Sequence, residues 1–284
     1  MFGCKSGSPN TPSCHTWEAE GEISFQEMEA IGQDPAAPAA NKSGYAKVVV
    51  ACQKAAEYGL RYAWVDTCCI DKTSSSELSE AINSMYRWYQ NAEVCFAFLA
   101  DLHAEPGALE VDLPRCRWFT RGWCLQELIA PRRVKFFDAS WNHIGTRADL
   151  SSVISGITQI DEQVLIGSGL ICSIPVARRM SWAVARQTTR EEDMAYCLLG
   201  IFDVHMPMLY GEGARAFMRL QEEIIKTSND LSIFVFLDQP MRGDDPSSSL
   251  VDSALEPYCD LFAASPRDFA GCEKVVDMEE TSVR

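Results

Sequence analysis

The sequence predicts an α/β protein in which helices cover both faces of an open, parallel β-sheet and a mainly helical extension follows. Three short apolar runs, each ending at an aspartate, alternate with amphipathic segments in the first half of the chain. Strands buried on both faces have such continuous apolar runs, and helical crossovers join parallel strands. After about residue 150 the pattern becomes helical.

The strand and helix signals of the first half follow one another in a regular order. The apolar runs predict three strands, at Tyr62–Val65, Val94–Leu99 and Val134–Phe137. Apolar spacing and capping signals predict three helices: Tyr45–Tyr58, closed by Gly59; Leu78–Tyr89, opened by a Ser74/Glu77 capping box; and Trp118 to the residue before Pro131. We expect the segments Arg61–Asp66, Val94–Leu99 and Val134–Asp138 to be parallel neighbours.

Aspartates stand at or shortly beyond the ends of these predicted strands. They are Asp66, Asp71, Asp101 and Asp138. Open α/β sheets bind their ligands beyond the carboxyl ends of the strands. The four carboxylates are therefore candidates for a ligand site.

The remaining segments are less strongly patterned. Residues 1–13 contain Pro9, Pro12 and several Gly and Ser residues, which predict a disordered segment that adds no central strand. In the extension, residues 151–237, we expect a Thr189/Glu192 capping box before a helix ending at Gly200, a helix at Ala214–Lys226 and a strand at Leu231–Leu237. Residues 238–284 predict a linker followed by a weakly patterned tail.

Composition and charge exclude several classes of function. The chain has 284 residues with 40 acidic and 25 basic side chains, and its formal net charge of −15 argues against binding nucleic acid. No stretch reaches the roughly 18 uncharged apolar residues of a membrane span, and the first residues lack an apolar signal-peptide core. We therefore expect a cytoplasmic protein without a membrane span.

The twelve cysteines predict neither a disulfide framework nor a zinc site. They lie inside apolar runs such as Val94–Phe96 and Tyr196–Leu198, where cysteine behaves as a small hydrophobic residue. There is no Cys-x-x-Cys pair, and the four histidines are far apart in the sequence. We expect reduced core thiols and no bound metal.

A glycine-containing segment, Gly211–Ala216, matches the Gly-x-Gly-x-x-Ala pattern of dinucleotide-binding turns. That motif requires a preceding strand, and Met206–Met208 contains a proline instead. An oxidoreductase would need such a strand and an acidic residue about 20 positions later, an offset near which Asp230 lies by chance. We interpret the glycines as a turn into a helix.

The segment Arg115–Arg133 contains five arginines around one carboxylate, that of Glu127. Two interpretations stand side by side: the arginines bind a phosphate-bearing ligand, or Arg132 and Arg133 complement a helix C-terminus while the others are solvated. Glu127 lies one helical turn after Trp123 and so shares a face with an aromatic ring.

Four ordered segments resemble the successive sequence blocks of the fungal heterokaryon-incompatibility (HET) domain. They are His15–Trp17, Tyr62–Lys72, Ala81–Tyr89 and Trp118–Leu128. The segments Thr188–Gly200 and Leu209–Gly213 resemble the C-terminal extension of fungal vegetative incompatibility proteins. One departure is that Asn10–Cys14 replaces the apolar strand that usually precedes the first block, and Glu18 replaces the glycine after it.

The resemblance implies an effector that promotes programmed cell death after non-self recognition. It places the HET domain at residues 14–150 and its helical extension at residues 151–237, and it implies a TIR-like (flavodoxin-like) fold. An alternative function is a non-catalytic, TIR-like signalling and assembly module. The implied partners are a second copy of the chain or other incompatibility proteins.

Some TIR domains cleave NAD, and their helix motif Trp-Cys-x-x-Glu is similar to Trp123–Glu127. The resemblance makes Glu127 the candidate catalytic residue of an NAD glycohydrolase, with NAD as a substrate and no tightly bound cofactor. It implies that Trp123 walls the site. Binding roles follow for four more residues: Arg121 or Arg115 for the pyrophosphate, and Asp66 and Trp64 as lining of the pocket.

Overall fold

A computed structural model of the chain describes residues 11–15, 21–103, 107–238 and 261–276. The described strands are β1 Thr11–His15, β2 Ala63–Trp64, β3 Cys95–Phe98, β4 Val134–Phe137 and β5 His143–Thr146. The described α-helices are α1 Phe25–Gln33, α2 Ser43–Glu57, α3 Asp66–Cys69, α4 Ser75–Gln90, α5 Leu109–Asp112, α6 Cys124–Ile129, α7 Ser151–Thr158, α8 Glu162–Leu165, α9 Val176–Ser181, α10 Asp193–Tyr196, α11 Leu199–Phe202 and α12 Arg215–Thr227. Short 3₁₀-helices occur at Pro38–Asn41, Leu113–Arg115, Arg117–Thr120, Ile171–Ser173, Leu231–Asp238, Pro266–Phe269 and Cys272–Lys274.

The five strands form one sheet in the order β2-β1-β3-β4-β5. The first four strands of that order are parallel, which confirms an α/β protein and the parallel direction of the three predicted strands. The sheet is mixed, however, because β5 pairs antiparallel with β4. The connection between them is a short loop in which the buried Asp138 carboxylate accepts hydrogen bonds from the backbone N–H groups of Ser140 and Asn142. So short a connection permits only an antiparallel hairpin.

The prediction that residues 1–13 add no central strand is wrong. Strand β1 begins at Thr11 and lies between β2 and β3, so β2 and β3 are not direct neighbours. Pro12 is compatible with this position because the pairing is staggered: Thr11 and Pro12 pair with β2, whereas pairing with β3 begins at Ser13. Residues 1–10 lie outside the described part of the chain.

Helices α2, α4 and α12 confirm the predicted helices of these regions. Helix α2 is followed by Gly59 with φ of +72°, the left-handed conformation expected of a C′ residue. Helix α4 is capped by Ser74, whose hydroxyl accepts a hydrogen bond from the Glu77 N–H. The Glu77 carboxylate instead accepts from the Asp71 N–H, so only half of the predicted capping box forms.

Two predicted elements differ from the structure, and a third lies mostly outside its described part. The predicted helix from Trp118 is broken into a 3₁₀-helix and the short α6, because Thr120 and Gly122 use their backbone groups to bond Gln187, at 2.6 and 2.9 Å. The segment Leu231–Leu237 lies in a 3₁₀-helix, since a continuous apolar run does not by itself separate a strand from a buried helix. The predicted linker begins at Asp238, and residues 239–260 lie outside the described part of the chain.

The extension also differs from its predicted capping pattern. Glu192 does not form a capping box with Thr189; its carboxylate accepts hydrogen bonds from the N–H groups of Gly211 and Gly213. Gly200 does not end a helix but lies inside α11, where a Cβ atom would fall 2.1 Å from the Tyr86 side chain. Only glycine permits this close approach of α11 to α4.

The largest hydrophobic core joins the sheet to the extension. The fully buried β3 contributes Cys95 and Ala97, and the extension contributes Trp182, Tyr196 and Phe217 to the same cluster. Buried aromatic side chains of this size dominate core energetics. The core therefore packs the extension against the sheet.

Candidate functional site

A cavity of about 180 Å³ lies between α6, the start of α3 and the extension. Its lining residues are Asp66, Arg121, Trp123, Cys124, Glu127, Thr189, Arg190 and Asp193. Four of the six predicted site residues, namely Glu127, Trp123, Arg121 and Asp66, are thus brought together. Asp66 reaches the cavity because it follows β2 and opens α3 at the carboxyl end of that strand.

Glu127 lies on α6 and its side chain is buried, with 5% of the residue exposed. The Tyr89 hydroxyl donates a hydrogen bond of 3.3 Å to its Oε1 atom. Cys124, one helical turn earlier, is also within reach of the carboxylate. Burial, and then the charge of Glu127, raise the pKa of the Cys124 thiol well above its usual value. Cys124 is therefore a neutral thiol, not a nucleophile.

Trp123 is held in the cavity wall by the extension. Its indole donates a hydrogen bond to the Asp193 carboxylate, which also accepts one of 2.9 Å from the Tyr210 hydroxyl. The Arg190 guanidinium lies 4.4 Å from the centre of the Tyr210 ring. Burial raises the pKa of Asp193, although the hydrogen bonds from Tyr210 and Trp123 oppose this effect.

The cavity carries charges of both signs. Asp66, Glu127 and Asp193 supply three carboxyl groups, and Arg121 and Arg190 supply two guanidinium groups. Carboxylates stabilise a positive charge that develops on a ligand, and guanidinium groups bind phosphate oxygens. The cavity can therefore interact with a ligand that is cationic at one end and anionic at the other.

Two predicted site residues lie elsewhere. The Arg115 side chain is 74% exposed and pairs with Asp112, so it does not line the cavity. Trp64 is buried beneath it, with its ring centre 5.6 Å from those of Trp88 and Tyr89. An indirect role remains for Trp64, because it packs against the tyrosine that donates to Glu127.

The other aspartates that follow the strands have structural roles. Asp71 accepts hydrogen bonds from Thr73 and Gln26, and Asp101 accepts one from the Arg117 N–H. Asp138 holds the β4–β5 loop. None of these three aspartates lines the cavity.

Sequence reasoning missed the residues that the extension contributes, which are Thr189, Arg190 and Asp193. The block Thr188–Gly200 was the available signal, since it resembled a family extension, but its role in the site was not predicted. The Gly211–Ala216 segment is a turn into α12, as interpreted: Gly211 and Gly213 have φ of +104° and +59°, and the described residues 203–210 before it contain no strand.

The described residues contain neither a candidate metal centre nor a helix that could span a membrane. Within the described ranges, His, Cys, Asp and Glu side chains form no group of three or more suited to a metal ion. Among the described helices, none combines the length and apolar character needed to cross a membrane. Of the cysteines that the structure describes, Cys95, Cys124 and Cys197 are among those buried in the core.

Comparison with known proteins finds similarity to two families in separate parts of the chain. Residues 14–115 match the family model of the heterokaryon incompatibility protein (HET). Residues 215–284 match a domain of unknown function, DUF8212.

A curated relative is similar to the chain over a longer stretch. The chain is 44% identical over 226 residues to vegetative incompatibility protein HET-E-1 of Podospora anserina. The alignment covers 77% of this chain and 16% of that protein, so this chain spans a small part of its relative's length. No solved structure matches the chain.

Proposed function

We propose that this chain is an effector of heterokaryon incompatibility that promotes programmed cell death after non-self recognition by cleaving NAD at Glu127. The HET match and the identity to a vegetative incompatibility protein support the biological role. The observation that carries the chemical role is the burial of the Glu127 carboxylate in a cavity walled by Trp123.

A TIR-like fold is part of this proposal. Its support is the order of the four parallel strands, β2-β1-β3-β4, which doubly wound α/β sheets of the flavodoxin-like type share. The cavity borders the carboxyl end of β2, the side on which such sheets bind ligands. The antiparallel β5 is a departure at the far edge of the sheet, away from Asp66.

The proposed reaction is cleavage of the bond between nicotinamide and ribose. Nicotinamide leaves from a cationic pyridinium and needs no general acid, so a single carboxylate is sufficient to stabilise the oxocarbenium-like ribose as the bond breaks. Glu127 supplies that carboxylate, and Tyr89 orients it through the hydrogen bond to Oε1. Water then adds to the ribose and loses a proton, which gives ADP-ribose and neutral nicotinamide.

The size of the cavity limits which part of NAD it encloses. Pockets that surround drug-sized ligands measure about 300–1,000 Å³, and this cavity measures about 180 Å³. We infer that the nicotinamide ribose enters and that the rest of the dinucleotide lies outside. Arg121 and Arg190 at the cavity wall are then the groups that bind the pyrophosphate, and the exposed Arg115 is not.

The alternative is a non-catalytic signalling and assembly module in the cytoplasm. The small cavity and the 5% exposure of Glu127 favour it, because an enclosed carboxylate can hold α4 and α6 together through its bond to Tyr89 without contacting a ligand. In that case the partners would be a second copy of the chain or other incompatibility proteins. Loss of the carboxylate charge would then leave cell death unaffected.

Expression of Glu127→Gln in a filamentous fungus separates the two functions. We expect the variant to lose cell death and to leave cellular NAD at the level of cells without the protein, because removal of a transition-state carboxylate slows such reactions on the order of 100-fold or more. Glu80→Gln, an exposed substitution on α4, is the matched control and should kill like the unmodified chain. A folded Glu127→Gln protein that kills cells with NAD intact would establish the assembly function instead.

A further inference from the structure

Arg186, in the extension, is a buried cation with no role in the site described above. Only 3% of the residue is exposed. Its Nε atom donates to the Trp182 carbonyl at 3.2 Å, and its Nη1 atom donates to the Arg121 carbonyl at 2.8 Å. Burial lowers the pKa of the guanidinium to about 10, so the side chain still carries its positive charge at neutral pH.

The charge of one carboxyl group, that of Glu127, is among those that act on this buried guanidinium. The titratable groups that act on Arg186 are Cys124, Cys197 and Glu127. Burial raises the pKa of both thiols far above neutrality, so both are uncharged there. Removal of a guanidinium from water has a large free-energy cost unless an opposite charge compensates it. Glu127 is the member of this group that can supply the compensating negative charge.

The backbone next to Arg186 is fixed against the residues that lead into α6. The Gln187 N–H donates to the Thr120 carbonyl at 2.6 Å, and the Gly122 N–H donates to the Gln187 carbonyl at 2.9 Å. A Cβ atom at Gly122 would fall 2.6 Å from the Thr188 side chain, so the two segments are in close contact. Together with the Arg186–Arg121 bond, these contacts set the position of the turn that precedes Glu127.

Arg186 does not line the cavity that contains Glu127; it lines a separate cavity of about 490 Å³ beside α12. It therefore cannot contact a substrate bound at Glu127. We propose that Arg186 is a positioning residue, through which the extension holds the turn before α6 and keeps the Glu127 carboxylate ionised. The consequence for catalysis rests on the proposed function, whereas the effect of Arg186 on Glu127 does not depend on NAD cleavage.

Several charged or titratable groups other than Arg186 also lie near Glu127, and the test must separate the effect of Arg186 from theirs. Besides Arg186, the described residues near the carboxylate include Tyr89 from α4, Cys124 from α6 and, around the cavity, Asp66, Arg121, Arg190 and Asp193. Removal of the Arg186 charge leaves all of these in place. Loss of a cation disfavours an ionised carboxyl group, so Glu127 should then take up its proton at higher pH.

The test is a ¹³C NMR titration of the glutamate carboxyl groups in the full chain, with the Glu127 signal assigned from its absence in Glu127→Gln. In Arg186→Gln we expect the titration of Glu127 to move upward by roughly one pH unit or more. Arg186→Lys keeps the charge and should move it by less than half as much. Arg215→Gln, an exposed substitution on α12, should leave it unchanged.

A folded Arg186→Gln protein in which Glu127 titrates as in the unmodified chain would overturn the proposal. If Arg186→Gln does not fold, the Glu127 titration of the unmodified chain still tests the proposal. A Glu127 carboxyl group that is protonated at neutral pH would show that Arg186 does not keep it ionised. The rate of NAD cleavage is measured separately as a function of pH. The acidic limb of this pH–rate profile should move together with the Glu127 titration observed by NMR. Absence of cleavage in the unmodified chain would refute the proposed function but not the effect of Arg186 on the ionisation of Glu127.

Discussion

Removal of residues 1–15 is expected to abolish the cooperative unfolding transition of the chain. The deletion eliminates β1, the strand that joins β2 to β3 and β4. Without it, the buried β3 loses the ladder on one edge, and unpaired backbone groups in an apolar interior are costly. Thermal melts followed by near-ultraviolet circular dichroism should show no sigmoidal transition.

A chain that begins at Thr11 is the matched control for this deletion, since it retains the whole of β1. It should unfold in a single cooperative step. If the chain that lacks residues 1–15 melts cooperatively at the same temperature as the control, β1 is not a structural part of the sheet.

Arg147→Leu is expected to lower the free energy of unfolding by about 3 kcal/mol or more. The residue is 5% exposed, and its guanidinium donates to the carbonyls of Leu128 and Ile129 at 2.7 and 3.1 Å and to that of Arg132 at 3.3 Å. These carbonyls belong to the end of α6 and the turn after it, where the helix itself provides no donors. A leucine would leave all three without this donor in a buried environment.

Urea denaturation of Arg147→Leu and Arg132→Leu measures the effect. The Arg132 side chain is exposed, so its replacement should change the free energy of unfolding by less than about 0.5 kcal/mol. Equal stabilities for the two variants would show that the buried guanidinium does not support the helix that carries Glu127.

The parts of the fold that sequence predicted are those with strong local patterns. Strand β3 is an uninterrupted apolar run and α2 has regular apolar spacing before a glycine, so short-range periodicity was sufficient for both. Strand β1 has no such pattern: Pro12 suggested a loop, and only the staggered pairing with two neighbours makes a strand possible there. The strands that pair with β1 lie far from it in the sequence, so the segment itself does not reveal this pairing.

The candidate site likewise combines residues that a local sequence pattern predicted with residues that it did not. Trp123 and Glu127 are one helical turn apart, so a local motif placed both on one face of α6. Arg190 and Asp193 reach the same cavity from more than 60 residues further along the chain. Their contribution depends on the contact between Gln187 and the residues before α6, which no local pattern reveals. For the same reason the sequence did not reveal that Arg115, although close to Trp123 in sequence, does not line the cavity.

The most direct test of catalysis at Glu127 is nicotinamide release by the purified chain. The protein is incubated with NAD at neutral pH, and nicotinamide and ADP-ribose are quantified by liquid chromatography for the unmodified chain and for Glu127→Gln. We predict equal amounts of the two products from the unmodified chain and a rate lower on the order of 100-fold or more for the variant. Release at the same rate by both folded proteins, or by neither, would contradict the assignment of NAD cleavage to Glu127.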